Sequence, residues 1–285
     1  MVRHTTSIAA ALRHPQQVRM MSRLYSANQI SPDINSFSSS SSSSSSGSSG
    51  SSSQDSRSGS GGLRTKVRQH VNPLSAKYRE PVVLQADWKQ AFKDPLLPLI
   101  LDIGCAKGNW VLECGQLSSV NNFLGLEIRR PVVELALHRK VKRQADNVHF
   151  IACNANVDLV RICTEYSSSI DAVTIQFPDP HFKNTHKKRR VVTAELVNSI
   201  ASILPVGSTL FVQSDVFDVC EAMVKIIDAS PYFEPSAGCS SALDKLESNP
   251  NPFEVTTERE TVTLSKGLPV YRMHYIRNES EKDSV

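Results

Sequence analysis

The sequence predicts an α/β fold in which the sheet is mostly parallel and helices cover both faces. From residue 99 onward, short apolar runs typical of buried parallel strands alternate with stretches of helical spacing. A glycine, an acid or a proline ends several of these runs, as expected where a strand leaves the sheet. Repeated β-α units need crossover connections, and these place helices on both faces of the sheet. Residues 99–276 therefore form one predicted domain.

The elements of this domain follow one another in regular order. Strands are predicted at residues 99–103, 122–128, 148–153, 170–177 and 209–213. Helices are predicted at residues 109–117, 131–144, 157–166, 191–204 and 216–229. Pro131 suits the first turn of its helix, and Pro178 ends its strand because proline cannot donate a ladder hydrogen bond. Residues 257–264 and 270–276 are predicted to pair as an antiparallel terminal hairpin, which completes a seven-stranded sheet.

Residues 1–62 are too polar to fold together with this domain. They contain the serine run from Ser38 to Ser46, several arginines and two acids, Asp33 and Asp55. Such a composition buries too little apolar surface to offset the entropy of ordering. An arginine-rich, serine-rich and acid-poor start predicts an organellar transit peptide, and the abundance of serine favours the chloroplast over the mitochondrion. The alternative, a plain disordered tail, would leave the protein in the cytosol or nucleus.

The remaining segments and the cysteines exclude some classes of protein. Residues 63–98 are predicted to form a basic lead-in arm and a short helix, and residues 277–285 a polar tail. The arm suits either nucleic-acid phosphates or a plain solvated connection. The chain has no run of eighteen apolar residues, so no membrane span is predicted. Its six cysteines include no C-x-x-C pair, so we expect reduced core thiols and no metal site.

The first candidate site is a glycine turn after the first strand, with the sequence L-D-I-G-C-A-K-G at residues 101–108. Asp102 precedes Gly104, and the helix that follows offers free backbone N–H groups to a ligand. The spacing is G-x-A-x-G rather than the dinucleotide pattern G-x-G-x-x-G. On this pattern alone, a purely structural turn stays open.

Two further candidates follow the second and third strands. Glu127 stands where a carboxylate can accept both hydroxyls of a ribose, from NAD as well as from S-adenosylmethionine. Arg129 either pairs with Glu127 or contacts a ligand. Asn154 and Ala155 follow the third strand, where the asparagine amide either binds an adenine edge or caps the next helix.

The fourth candidate is the most distinctive stretch, F-P-D-P-H-F-K-N-T-H-K-K-R-R at residues 177–190. Two prolines hold Asp179 in a rigid turn after the fourth strand. Lys183 and the cationic run from His186 to Arg190 follow, which predicts contact with RNA phosphates. A solvated helix start or a nuclear-targeting signal is the alternative. All four candidates follow parallel strands, so they converge on one crevice at the carboxyl edge of the sheet.

Taken together, these motifs closely resemble the tRNA (guanine-N7)-methyltransferases over residues 99–276. The specific element is F-P-D-P-H-F-K with its basic tail, supported by G-L-E-I-R-R-P-V-V-E and by a late T-E-R-E followed by G-L-P-V-Y-R. The resemblance implies a Rossmann-like class I methyltransferase fold, whose terminal strands are antiparallel. It also implies methyl transfer from S-adenosyl-L-methionine to N7 of guanosine 46 in the variable loop of tRNA.

The resemblance carries roles to the matching positions of this chain. Cofactor contacts are implied for Asp102, Gly104, Glu127, Arg129, Asn154, Ala155 and Gln176. Contacts to the guanosine or the tRNA are implied for Lys183, Asp215, Thr257, Glu258, Arg259 and Glu260. The basic run predicts tRNA backbone contacts from His186, Lys187, Lys188, Arg189 and Arg190. The chain departs from the family pattern with Ala106 for a usual glycine, His181 for a frequent tryptophan and Arg259 for a frequent phenylalanine.

Asp179 matches the acid at the active centre of the family. Guanine N7 carries a free lone pair and loses no proton when it is methylated, so the reaction needs orientation rather than a strong base. A carboxylate at the N1–H and amino edge of the base would stabilise the positive charge that develops on the ring, and would select guanine over adenine. We predict this role for Asp179, with a turn-capping aspartate as the alternative.

Other functions share parts of this pattern. A methyltransferase acting on another RNA, a small molecule or a protein would use the same fold, although the basic run favours RNA. An NAD-dependent oxidoreductase would need the glycine spacing that the chain lacks. A non-catalytic RNA-binding module would explain the basic run but not the carboxylates at one sheet edge. The resemblance leaves the assembly open, because bacterial-type members act alone, as the transit-like start favours, whereas some nuclear-encoded relatives use a WD-repeat partner.

Overall fold

The structure is a computed structural model that describes residues 71–82 and 87–279. The predicted transit peptide at residues 1–62 lies outside this part of the chain, as do residues 63–70 and 83–86 of the predicted lead-in and residues 280–285 of the polar tail. Within the described residues, no helix is both long enough and apolar enough to cross a membrane.

A seven-stranded sheet forms the centre of the domain, with the strand order β3-β2-β1-β4-β5-β7-β6. The strands are β1 (Leu99–Ile103), β2 (Asn122–Glu127), β3 (Val148–Ala152), β4 (Ile170–Gln176), β5 (Thr209–Ser214), β6 (Phe233–Pro235) and β7 (Tyr271–Arg277). The first five strands pair in parallel, whereas β7 runs antiparallel to both β5 and β6. The predicted mostly parallel, seven-stranded sheet is therefore confirmed.

Helices pack on both faces of this sheet, as predicted. They are α1 (Trp88–Ala91), α2 (Asn109–Leu117), α3 (Arg130–Arg143), α4 (Ala155–Thr164), α5 (Ala194–Ile203), α6 (Phe217–Asp228) and α7 (Glu258–Ser265). Alternate residues of β1 point to opposite faces, so Leu99 and Leu101 join one apolar cluster with α4, α5 and α6, while Ile100 joins another with α2 and α3. Five of the six cysteines are buried, in line with the expected core thiols.

The predicted terminal hairpin is wrong in its first strand. Residues 257–264 were expected to be extended, but α7 occupies them, and β6 supplies the antiparallel partner of β7 instead. Thr257 caps the helix, because its hydroxyl accepts a hydrogen bond from the Glu260 backbone N–H at 3.0 Å. The sequence T-E-R-E has the capping-box pattern S/T-x-x-E, which was the available signal for a helix start. The three-residue β6 contains a proline and gives no alternating pattern to recognise.

Two helix starts differ by two or more residues from the sequence-based prediction, and a polar cap explains each. α5 begins at Ala194 rather than residue 191, because the Thr193 hydroxyl accepts from the Leu196 N–H at 3.1 Å. α4 begins at Ala155 rather than residue 157, because Asn154 caps it. Side-chain caps satisfy N–H groups that lack a partner within the helix, so they decide where a helix begins.

The order of strands creates the place for a site. The strand order reverses between β1 and β4, which are neighbours in the sheet. At such a reversal, the connections leave in opposite directions and open a crevice at the carboxyl ends of the strands. The segments that follow β1, β2, β3, β4 and β5 all reach this edge.

Candidate active site

A cleft of about 1080 Å³ opens at the carboxyl edge of the sheet. This volume slightly exceeds the upper end of the range of about 300–1,000 Å³ that is usual for a small-molecule pocket, so the cleft can hold more than one ligand. The predicted site residues that line it are Asp102, Gly104, Glu127, Arg129, Asn154, Ala155, Gln176, Asp179, Arg189, Asp215, Thr257, Glu258 and Arg259. The remaining predicted residues, Lys183, His186, Lys187, Lys188, Arg190 and Glu260, lie outside the cleft lining.

The glycine turn after β1 forms the floor of the cleft. Gly104 and Gly108 have φ values of 85° and 73°, which lie in the left-handed region that favours glycine. A Cβ atom on Gly108 would lie 2.4 Å from the ring of Phe150, so only glycine lets α2 pack this closely on the sheet. Ala106 also has a positive φ, of 47°, and is therefore strained in a position that suits glycine.

Two buried carboxylates stand beside this turn. The Thr174 hydroxyl donates a 2.7 Å hydrogen bond to Asp102 Oδ1, and the Gln176 side-chain amide donates to the same oxygen at 3.4 Å. Burial raises the pKa of Asp102 to about 6; the two hydrogen bonds oppose this shift, and the nearby charge of Glu127 adds to it. The cleft thus contains an acid that a cationic ligand would stabilise in its ionised form.

Glu127 is gripped by its neighbour Arg129. The guanidinium donates from Nε to Glu127 Oε1 and from Nη2 to Oε2, each at 2.9 Å, and the Arg129 backbone N–H donates to Oε1 at 3.0 Å. These hydrogen bonds are the first cause of the raised pKa of Arg129. The bidentate pair fixes the carboxylate orientation at the end of β2, and Oε2, which accepts one of these hydrogen bonds, keeps a further lone pair for a hydroxyl donor.

Buried side-chain hydrogen bonds connect Gln176, in the cleft lining, with α7. The Gln213 side-chain amide donates to Gln176 Oε1 at 2.7 Å and to Glu260 Oε2 at 3.1 Å. Arg272 Nη2 donates to Glu260 Oε1 at 2.8 Å. Glu260, predicted to touch the substrate, is thus a buried residue of the domain interior that holds α7 against the sheet.

Asn154 serves the protein itself in two ways. Its side-chain oxygen accepts from the Asn156 N–H at 3.2 Å, which caps α4. Its amide nitrogen donates to the carbonyl oxygens of Tyr78 and Pro73, at 2.9 and 3.3 Å. Asn154 therefore attaches the segment at residues 71–82 to the domain. Val71 and Pro73 of this segment line the cleft.

The turn after β4 is held from both ends. Phe177 and His181 have positive φ values of 48° and 46°, which are unfavourable for residues with a Cβ atom. The Phe177 N–H donates to the Gln213 carbonyl at 2.8 Å, and Arg190 Nε donates to the Pro180 carbonyl at 3.0 Å. Strained turns of this kind persist where the surrounding contacts hold them in place, and they are common at functional sites. Between these two ties, Asp179 faces the cleft with 29% of its side chain exposed.

The cationic run adopts a 3-10 turn at Asn184–Arg189, and its members point to different places. Lys183, Lys187 and Lys188 are exposed, whereas Arg189 lines the cleft. The Arg189 Nε atom is buried and has no hydrogen-bond partner among the described residues. Partial desolvation, followed by the charges of Arg189 and Lys183, lowers the pKa of His186 below 6.5. This shift favours the uncharged form of His186.

Arg190 turns inward. It donates to the Pro180 carbonyl from Nε and to the Asp218 carbonyl from Nη1, the latter at 3.2 Å. These bonds connect the turn after β4 with the start of α6. The predicted tRNA backbone contact at Arg190 therefore competes with a structural role at the same guanidinium.

The start of α7 forms part of the cleft wall. Arg259 Nε donates to Asp215 Oδ2 at 2.7 Å, which attaches α7 to the end of β5. Asn109 donates to the Glu258 carboxylate, which attaches α7 to α2. Sequence reasoning missed Val71 and Pro73, because residues far from the motifs in the chain give no local sign that they will meet the cleft. It also missed Asn109 and Phe182, although Asn109 directly follows the glycine turn and Phe182 lies within the F-P-D-P-H-F-K motif.

Comparison with known proteins agrees with this geometry. The profile of the family described as "Putative methyltransferase" matches residues 97–273. The tRNA (guanine-N(7)-)-methyltransferase of Thermosynechococcus vestitus is 47% identical over 212 residues, which cover 74% of this chain and 95% of that protein. The chain belongs to the tRNA (guanine-N(7))-methyltransferase family.

A second member of the family, from Synechococcus elongatus, is 43% identical and covers 76% of this chain and 99% of its own length. Among solved structures, the 16S rRNA methyltransferase KamB is similar with a TM-score of 0.45 at 10% identity, covering 69% of this chain and 94% of that one. The methyltransferase family resemblance first seen in the motifs is thus confirmed over nearly the whole domain. Among the described residues, no group of His, Cys, Asp or Glu has the arrangement to hold a metal ion.

Proposed function

We propose that this protein transfers the methyl group of S-adenosyl-L-methionine to N7 of a guanosine in tRNA, at position 46 of the variable loop. The support is membership of a family whose similar relatives are named tRNA (guanine-N(7)-)-methyltransferase. The single observation that carries the proposal is the shared cleft, whose lining includes the buried acids Asp102 and Glu127 together with the partly exposed acid Asp179. Asp102 and Glu127 suit a cofactor, and Asp179 suits the guanine base.

The residues of the cleft fit S-adenosyl-L-methionine. Gly104 has open space where a Cβ would lie, so a ligand can approach the backbone of the turn. Asp102 and Glu127 are both nearly buried, and buried acids in a cleft favour a ligand that carries positive charge. We assign the cofactor to Asp102, Gly104, Glu127, Arg129, Ala155 and Gln176, with Asn154 acting through the cap of α4. The cofactor supplies an electrophilic methyl group on a sulfonium centre.

The residues of the chain act mainly by orientation. Guanine N7 attacks with its lone pair and releases no proton, so holding the base in line at near-attack distance supplies most of the catalysis. The Asp179 carboxylate accepts hydrogen bonds from the N1–H and amino groups of guanine and stabilises the positive charge that develops on the ring. Asp215 and Arg259 form an ion pair in the cleft lining and limit where the guanine base can lie. Adenine has no N1–H and no amino group at C2, so the same carboxylate would discriminate against it.

The exposed lysines bind the tRNA backbone in this proposal. Lys183, Lys187 and Lys188 lie beside the cleft on the turn that also carries Asp179. Arg189, with an unpaired buried Nε at the cleft wall, contacts the nucleotide that enters. Arg190 holds the turn in shape rather than contacting phosphate.

Methylation of purified tRNA by the full chain tests the proposal. We expect methyl transfer to a tRNA transcript with guanosine at position 46 and none to free guanosine or to a transcript with adenosine there. An Asp179→Asn variant should lose transfer by at least about 100-fold, because removing one preorganised electrostatic contact to a transition state costs about that much. Its affinity for S-adenosylhomocysteine should not change. Normal turnover by this variant would reject the role of Asp179, and methylation of another RNA alone would reject the tRNA assignment.

For the cellular location, we propose the chloroplast, with the mitochondrion as the second choice. The support is the arginine-rich and serine-rich composition of residues 1–62. We further propose that the protein acts as a monomer. Mapping N7-methylguanosine in chloroplast, mitochondrial and cytosolic tRNA, with and without this protein, tests the location. Full activity of the purified chain in the absence of a WD-repeat protein tests the monomer.

A further inference from the structure

Phe182 is an aromatic side chain that the protein leaves in solvent at the rim of the cleft. Its exposed fraction is 72%, and it is the one aromatic among the large exposed apolar residues of the described chain. It also lines the cleft, so the exposed ring stands at the entrance rather than on a remote surface. Neither the mechanism above nor the core of the domain uses this ring.

The backbone holds Phe182 in this position. The preceding residue, His181, has a positive φ of 46°, and the two prolines before it restrict the turn further. The Arg190 guanidinium fastens the Pro180 carbonyl at 3.0 Å, which fixes the turn on its far side. A rigid turn loses little backbone entropy when a ligand binds, so the backbone that carries the ring is preorganised for contact.

The charges around Phe182 indicate the chemistry of its ligand. Lys183 is the next residue and is exposed, and Lys187 and Lys188 follow on the 3-10 turn. An aromatic ring beside a track of cations is the combination with which proteins bind unpaired nucleotides, since the bases stack on the ring and the cations contact the backbone. A buried protein interface would instead exclude charged residues from its centre.

The substrate needs such a ring. N7 of guanine lies on the major-groove edge of the base, and proteins read the unpaired bases of an RNA loop after these bases are splayed out of their stack. A variable-loop guanosine that enters the cleft leaves its stack, which exposes the face of the neighbouring base. We propose that Phe182 stacks on the base next to the target guanosine and holds the tRNA open at that point. This inference rests on the proposed function and names a nucleotide-binding position within it.

Substitutions at Phe182 in the full chain test stacking directly. Removing one base–aromatic stack costs about 1–3 kcal/mol, so Phe182→Ala should lower kcat/KM and affinity for tRNA by about 5- to 150-fold. Phe182→Leu, which keeps apolar bulk without a ring, should fall nearly as far, whereas Phe182→Trp should stay within about threefold of the parent protein. The affinity for S-adenosylhomocysteine and the melting temperature should not change. Val141→Ala, at a residue 75% exposed and outside the cleft lining, is the matched control.

A fluorescent base reports the contact itself. A tRNA with 2-aminopurine on either side of the target guanosine should show quenching on one side with the parent protein and with Phe182→Trp, and no such quenching with Phe182→Ala. Parent-level methylation and binding by Phe182→Ala would overturn the inference, and so would a Phe182→Leu variant as active as the parent. If Phe182 served a protein partner instead, Phe182→Ala would methylate tRNA normally on its own.

Binding and methylation are measured separately so that two failures stay distinct. A parent protein that binds tRNA without methylating it would reject the proposed function, and the binding of Phe182→Ala would then still decide whether the ring stacks. A parent protein that methylates tRNA, together with an unaffected Phe182→Ala, would reject the stacking alone.

Discussion

Asp102 lines the cleft, and the burial of its carboxyl group lowers the stability of the folded protein at neutral pH. Its carboxyl group has an unfolded-state pKa of 3.8, and burial raises this to about 6 in the folded protein. Between these two values the folded state holds a proton that the unfolded state has released, so stability falls as the pH rises from about 4 to about 6. Above that window the ionised carboxylate destabilises the fold by on the order of 3 kcal/mol, from a shift of about two pKa units.

Replacing Asp102 with asparagine should therefore stabilise the free protein and weaken its cofactor site. The asparagine side chain would keep an oxygen to accept the Thr174 hydrogen bond but would carry no buried charge. We expect Asp102→Asn to be more stable than the parent in urea unfolding at pH 7.5, by a margin that shrinks towards pH 5. Its affinity for S-adenosylhomocysteine should fall at least about tenfold, because a buried ionic contact is lost.

The exposed acid Asp244 provides the control for this measurement. Asp244→Asn should change neither the stability nor the affinity, since a solvated surface charge contributes little. Equal pH profiles of stability for Asp102→Asn and the parent would contradict the burial account of this acid.

At the scale of elements, two segments decide the shape of the cleft. The turn after β4 depends on the Arg190 clamp on the Pro180 carbonyl, and α7 depends on the Thr257 cap and the buried pair of Glu260 with Arg272. Both segments carry residues that face the cleft, and Arg190, Glu260 and Arg272, which help to hold the segments, lie outside the cleft lining. Local supports of this kind position a site without touching the ligand.

Arg190 and Lys188 should separate positioning from phosphate binding. Arg190→Gln removes hydrogen bonds to the Pro180 and Asp218 carbonyls, so we expect kcat to fall while the salt dependence of tRNA binding stays the same. Lys188→Gln should do the reverse, weakening binding and lowering the salt slope with little change in kcat. Methylation kinetics and tRNA binding at several salt concentrations distinguish the two. A lower salt slope in Arg190→Gln would mean that this guanidinium contacts phosphate after all.

The capping of α7 should be measurable in stability. Thr257→Ala leaves the Glu260 N–H without its partner and should cost about 1 kcal/mol, or roughly 2–4 °C in melting temperature for a domain of this size. Thr257→Ser keeps the hydroxyl and should restore most of this loss. If alanine and serine gave the same melting temperature, the cap would not contribute to stability.

At the scale of the whole molecule, three exposed lysines, Lys183, Lys187 and Lys188, lie on the turn that borders the cleft. The net formal charge is only +4, so the distribution of charge rather than its total favours tRNA. Each phosphate contact that releases counterions contributes about 0.7–0.9 to the slope of log affinity against log salt.

The double variant Lys187→Gln with Lys188→Gln should reduce this slope by about 1.5, because two contacts are lost. The matched control is Lys142→Gln with Arg143→Gln, at two exposed cations near the end of α3. The control should leave the slope unchanged. Equal slopes for the parent and the lysine double variant would remove the basic turn from the tRNA interface.

Much of this protein follows from the sequence alone. The β-α alternation predicts the sheet and its layers because buried strands and amphipathic helices have different local periods. The four motifs predict one cleft because each follows a parallel strand, and the carboxyl ends of parallel strands meet at one edge. The family follows from the motif at residues 177–190, which combines a rigid acid with a cationic run.

Only the tertiary structure decided what the individual side chains of those motifs do. Glu260 is a buried support, Arg190 is a clamp, and Asn154 is both a cap and a fastening, although each stands in a motif that suggests ligand contact. Phe182, which the sequence places in the middle of a motif, is an aromatic residue left exposed to solvent. The physical reason is that a side chain takes the partner that packing brings to it, and the partners of Asn154, Glu260 and the end of β5 lie tens of residues away in the chain.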